Sequence, residues 1–148
     1  MGLFDAINAS ASGLSAERLR MDVVAENLAN AQTTRGADGR PYQRKAVVLQ
    51  EAAPAGPSFQ SVLGQRIGAG ASVGGVEVAG IVTDTAPGRK VYDPGHPDAD
   101  GQGYITLPNV NPVTEMVDLI TAQRAYEANV TALQAAKTMF NRTLDILR

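Results

Sequence analysis

From Val113 to Leu147 the chain contains neither Gly nor Pro, and such a run has few ways to fold. Leu119, Tyr126, Leu133, Phe140 and Leu147 recur at seven-residue spacing, with Met116, Val130 and Leu144 in a companion row three residues earlier. Apolar rows at this period define a helix that buries one stripe against another helix. Gln123 and Lys137 complete the companion row as polar members, readable as partly exposed positions or as residues that set register. The start is marked by Asn111-Pro112, with Asn111 as N-cap and Pro112 as first helical residue. About 35 residues at about 1.5 Å each give a rod of roughly 50 Å. That is too long for a compact domain built from 148 residues.

The other end of the chain reads similarly. Leu3 to Ala31 lacks Pro and places Ile7, Leu14, Met21 and Leu28 at strict seven-residue spacing. Phe4, Ala11 and Ala25 stand three residues before members of that row, and Arg18 is the polar exception. Gly13 and the serines around it lower helicity, each by up to roughly 1 kcal/mol against Ala. This helix therefore needs a partner surface to persist.

Seven of the eight prolines and most glycines fall between Gln32 and Pro108. Asp38-Gly39 signals a turn ahead of a strand-like Tyr42 to Gln50. A second β-type run through Val76, Val78 and Val82 ends near Thr85, before the Pro87-Gly88 turn. Val91-Tyr92 and Tyr104 to Leu107 add short strands, while 52–58 and 64–75 read as loops. The expected fold is mainly α with a small β-rich middle. Long N- and C-terminal helices pack as a coiled-coil-like pair around a loop-rich insert of short strands. The expected divisions are 1–34, 35–108 and 109–148. The middle is too small to cover both helices, so their stripes must be buried on each other and on other chains. Ala122, Ala125, Ala128, Ala132, Ala135 and Ala136 occupy the remaining faces and permit close approach of several helices.

Chemistry is sparse. The formal net charge is −2, which argues against a nucleic-acid partner. There is no cysteine, hence no disulfide or thiolate metal site. The single histidine, His96, lies in Asp93-Pro94-Gly95-His96-Pro97-Asp98-Ala99-Asp100, where two prolines and a glycine make a turn and the spacing fits no zinc or calcium pattern. A structural contact loop carrying Asp93, His96 and Asp98 is expected, its contacts lying within or between subunits. No serine sits in a nucleophile elbow. The Gly68, Gly70, Gly74, Gly75 cluster lacks the Lys-Ser/Thr ending of a phosphate loop. No enzyme activity, cofactor or metal is expected. The N-terminal segment lacks the basic start and continuous apolar run of a signal peptide. No segment reaches the roughly 18 to 20 apolar residues of a membrane span, and the acidic balance of the N-terminal helix argues against a membrane-surface role.

Val23-Val24-Ala25-Glu26-Asn27-Leu28-Ala29-Asn30-Ala31-Gln32-Thr33-Thr34 resembles the N-terminal signature of flagellar rod, hook and hook-associated axial proteins, with Asn27, Asn30 and Ala31 in its core. Gln32 departs from that signature, which more usually has Asn. The stretch from Val117 to Asn129 resembles their C-terminal signature. Ser15 to Asp22, and Arg89 to Asp100 through Pro108 to Asn111, look like the proximal-rod branch of that family. The resemblance spans nearly the whole chain and is weakest over 52–75. It implies a structural subunit of the proximal rod that self-assembles into a helical drive shaft. It further implies export through the flagellar type III apparatus without a cleaved signal, and a place in the periplasmic part of the basal body. The partners it implies are further copies, the rod proteins FlgB, FlgF and FlgG, and the base components FliE and FliF near the MS ring and export gate. The alternatives are another axial rod-family subunit or a small metal-binding module.

Overall fold

In a computed structural model the described residues are 3–36, 39–52 and 74–146. Asp38 of the expected turn, most of the 52–58 and 64–75 loops with Gly68 and Gly70, and Leu147 of the C-terminal row lie outside them. The elements follow the order α1 (Leu3–Ala29), β1 (Lys45–Glu51), β2 (Val76–Thr83), β3 (Lys90–Tyr92), β4 (Tyr104–Thr106) and α2 (Pro112–Ile146). In chain order, two long helices thus flank a small region of short strands.

The ends of both helices have local causes. Asn111 caps α2, its Oδ1 accepting from the Val113 N–H at 3.0 Å, and Pro112 fills the first helical position, where no N–H is needed. At the end of α1, Asn30 donates its side-chain amide to the Glu26 carbonyl at 2.9 Å and accepts from the Thr33 hydroxyl at 3.2 Å. It closes the helix without a glycine.

β1 and β2 form one two-stranded sheet. The Asp84 N–H donates to Arg44 O, and the Ala52 N–H to Gly75 O. Partner numbers fall on one strand as they rise on the other, so the pair is antiparallel. β3 and β4 form a second antiparallel pair, with Lys90 opposite Thr106, Val91 opposite Ile105 and Tyr92 opposite Tyr104. The two tyrosine rings meet edge to face at 5.2 Å. Gly103 returns the chain between Tyr92 and Tyr104 at φ +79°, a backbone angle that glycine adopts without strain.

The described chain divides into two compact units. The first draws on Met1–Arg18, Leu49–Ala79 and Arg124–Arg148, and the second on Leu19–Val48 and Gly80–Gln123. In the first unit the Phe4 and Phe140 rings meet at 5.9 Å, Gly13 lies against the Asn129 amide, and Ser12 Oγ accepts from the Val76 N–H. Among its described residues Ala16 and Ala136 are buried and apolar. In the second unit Val23, Val24, Ile105 and Ala122 are buried.

Candidate functional site

The second unit buries two polar side chains completely, Asn27 from α1 and Glu115 from the first turn of α2, both 0% exposed. Asn27 Nδ2 donates to Lys45 O at 2.7 Å and to Glu115 Oε2 at 3.0 Å. Its Oδ1 accepts from the Lys45 N–H and from the Tyr42 hydroxyl, both at 2.9 Å. A carboxamide offers two donors and two acceptor sites, and here all four are used. Glu115 Oε1 accepts from Arg44 Nε at 2.6 Å, and the same guanidinium reaches Asp118 at 3.5 Å. The backbone of Arg44 is fixed in turn, its N–H donating to Asn109 Oδ1 and its carbonyl accepting from Asp84.

A fully buried carboxylate is costly unless it is paired and hydrogen-bonded. Glu115 has both an amide and a guanidinium donor, and it sits where the N-terminal end of a helix favours negative charge. The hydrogen bond it donates to Glu115 holds the Arg44 guanidinium above its ordinary pKa. Burial raises the Tyr42 phenol, assisted by the Glu26 carboxylate, which suits a hydroxyl that must donate to Asn27. On the exposed rim Lys45 is raised by its 2.6 Å contact with Glu26. The clasp consumes its own hydrogen-bonding capacity; what it does chemically is hold α1, the start of β1 and the start of α2 together.

Of the expected contact loop, Asp93 is exposed and its Oδ1 accepts from the Gly95 N–H. His96 Nδ1 accepts from the Asp98 N–H at 3.1 Å. Asp98 accepts from the Thr34 hydroxyl at 2.8 Å and lies 3.6 Å from Arg35. The loop thus touches the residues that follow α1 in the same chain. Asp100 accepts from the Tyr104 and Gln102 N–H groups, which hold its carboxyl below the usual range. Ala31 and His96 line one open groove of about 670 Å³, together with Arg89, Ile105 and Val110. Among the described residues, no group of three or more His, Asp or Glu side chains is placed to hold a metal ion.

The helix rows fall differently. Ile7, Leu14, Met21 and Leu28 are half-buried, as are Leu119, Tyr126, Val130 and Leu133, while Met116, Phe140 and Leu144 are exposed. Among the described residues, those buried on α2 are Glu115, Ala122 and Ala136, in a seven-residue row that runs one position before Met116 and four before Leu119. On α1 the buried residues, among those described, are Gly13, Ala16, Val23, Val24 and Asn27. The physical reason is size: close approach of helix backbones selects small residues, as at Gly13, where even a Cβ would stand 3.0 Å from the Asn129 amide. Sequence reasoning placed the alanines on the remaining faces and did not find Glu115 or Arg44. The available signal was an acidic residue heading a seven-residue row that runs through Ala122, Asn129 and Ala136.

Paired terminal helices closed on a polar clasp, with a minimal β region between them in the chain, define an axial type of subunit, and two family models agree. Residues 7–37 match the flagella basal body rod protein model, and residues 102–146 match the C-terminal model of the flagellar basal body rod FlgEFG proteins. The chain is 47% identical to the flagellar basal-body rod protein FlgC of Bacillus subtilis, with 99% of each covered. It is 45% identical to FlgC of Borreliella burgdorferi over 100% of this chain and 99% of that protein. It is 42% identical to FlgC of Escherichia coli O6:H1 over 99% of this chain and 98% of that protein. The chain belongs to the FlgC family of flagellar basal-body rod proteins, and is a structural rod subunit of the flagellum.

Proposed function

We propose that this chain builds the proximal rod, assembling with its own copies and with FlgB, FlgF and FlgG into the helical shaft that transmits torque and encloses the export channel. FliE and FliF, near the MS ring and export gate, are its neighbours at the base. It reaches the periplasmic rod through the flagellar type III apparatus without a cleaved signal peptide, and it catalyses no reaction. The observation that carries this reading is full-length similarity to rod proteins in a chain that leaves several large apolar side chains of α2 exposed. Val113, Met116, Val117 and Ile120 recur at helical spacing and are 71%, 53%, 57% and 49% exposed. Water-facing stripes of this kind are buried on assembly. The rows Ile7, Leu14, Met21, Leu28 and Met116, Leu119, Tyr126, Val130, Leu133, Phe140, Leu144, Leu147 are the assembly seams, and the Asp93, His96, Asp98 loop supports them by anchoring the segment after α1.

The test is a chromosomal deletion complemented with the wild-type gene or with Leu133→Asp, scored by swimming and by electron microscopy of purified basal bodies. The wild-type gene restores rods and swimming. Leu133→Asp buries a carboxylate in a helix layer and abolishes assembly. Normal rods in the uncomplemented deletion refute the rod assignment, and normal rods with Leu133→Asp refute the seam.

A further inference from the structure

We propose that the Asn27–Glu115 pair is a register lock: it selects one axial alignment of α1 against α2 from several that apolar packing would accept.

The need for such a device follows from the buried rows. Where small residues repeat every seven positions, a helix displaced by one repeat, about 10.5 Å, presents one small side chain in place of another. The α2 row runs Glu115, Ala122, Asn129 and Ala136, and a one-repeat slip that brings Asn27 opposite Ala122 moves Gly13 from Asn129 to Ala136, a smaller side chain that packing there also accepts. Apolar contacts of this kind discriminate weakly between alignments.

Asn27 and Glu115 discriminate strongly. A slip of one repeat in one direction brings Asn27 opposite Ala122, which has nothing to accept from its amide. A slip the other way brings Arg20 to Glu115 and carries Asn27 beyond the first residue of α2. Each alternative strips a fully buried amide of its carboxylate partner. A single polar residue in a helical seam sets register in this way, at a cost in stability.

The clasp also refers both helices to one point in the chain. Lys45 holds Asn27 through its backbone N–H and carbonyl, and the adjacent Arg44 holds Glu115 through its guanidinium. Two consecutive residues therefore fix α1 and α2 to the same place, so the alignment tolerates almost no play. A buried charged cluster contributes little stability relative to well-packed apolar side chains. Its distinctive contribution is uniqueness.

The experiment uses the full chain, which has no native cysteine. Nitroxide labels at the exposed sites Asp22→Cys and Thr121→Cys report the alignment of the two helices by double electron–electron resonance. The otherwise wild-type chain gives one narrow distance. N27L/E115L removes both polar partners together; it keeps its helix content by circular dichroism but shows a second or broadened distance population. Leu28→Ala, which weakens apolar packing beside the clasp without touching it, keeps the single narrow distance. One narrow distance in N27L/E115L overturns the proposal. So does loss of helix content in that variant, which would make the clasp a source of stability rather than of register. A broad distribution in the reference chain or in Leu28→Ala overturns it equally.

Discussion

Replacing Asn27 by Ala removes four hydrogen bonds at once, and their environments set the cost. The contact with Glu115 is charge-assisted and fully buried, so leaving that carboxylate one donor short costs about 1.5–3 kcal/mol. Tyr42 and Lys45 are half-exposed, and water reaches their freed groups in part, so together they add about 1–2 kcal/mol. The expected loss is about 3–5 kcal/mol, a large share of the ~5–15 kcal/mol that holds a typical domain. At roughly 2–4 °C per kcal/mol for chains near this size, the thermal midpoint falls by about 6–20 °C. Urea unfolding followed by circular dichroism measures the first figure and calorimetry the second. Asn27→Asp sharpens the test, since it is nearly isosteric but turns two donors into acceptors aimed at Glu115 and at the Lys45 carbonyl. It should cost at least as much as Ala at neutral pH and recover part of the loss in acid. A loss below ~1 kcal/mol for Ala, or an Asp variant more stable than Ala at about pH 7, would refute the reasoning.

Gly88→Ala drives a Cβ into the Leu107 carbonyl oxygen, a backbone atom that cannot step aside. It should destabilise by at least the upper end of the ~1–3 kcal/mol typical of overpacking, read by urea titration. Gly13→Leu sets a branched side chain where the Asn129 amide already stands 3.0 Å from the Cβ position. It should prevent close helix approach in that unit, seen as loss of protection from amide exchange in the flanking helical turns. The Tyr42 phenol is raised above its ordinary 10.0, so its contribution is complete below about pH 10 and is lost as pH rises through the folded value. Wild type should therefore lose more stability than Tyr42→Phe between about pH 9 and 11, and equal slopes would contradict the assignment.

Much of the local structure was readable from residue order. A run without Gly or Pro, opened by Asn111-Pro112, gave α2 its start at Pro112 and its length. The apolar run from Val76 ends at Thr83, two residues before the expected end, and β1 begins at Lys45 rather than Tyr42. The reason for the latter is tertiary: Tyr42 is drawn out of the strand to donate to Asn27, and Arg44 to meet Glu115. The turn through Asp93, His96 and Asp98 was expected from its prolines, but the Asp98 contact with Thr34 joins residues 64 positions apart, and no local pattern shows it.

The sequence by itself determined that two long helices flank a small β region, because helix length, caps and breakers are local properties of the chain. It also carried the family signature, including Asn27. Which helix face is buried was decided only in three dimensions. Seven-residue apolar rows point to a stripe, but whether the stripe faces inward or waits for another chain depends on how closely two backbones can approach. Here Gly13, Ala122 and Ala136 permit that approach; most large members of the rows are half-buried, and Met116, Phe140 and Leu144 are left exposed. The meeting of Asn27 with Glu115, 88 positions away, belongs to the same category. Each is ordinary as a residue type, and only their shared burial makes each the other's required partner.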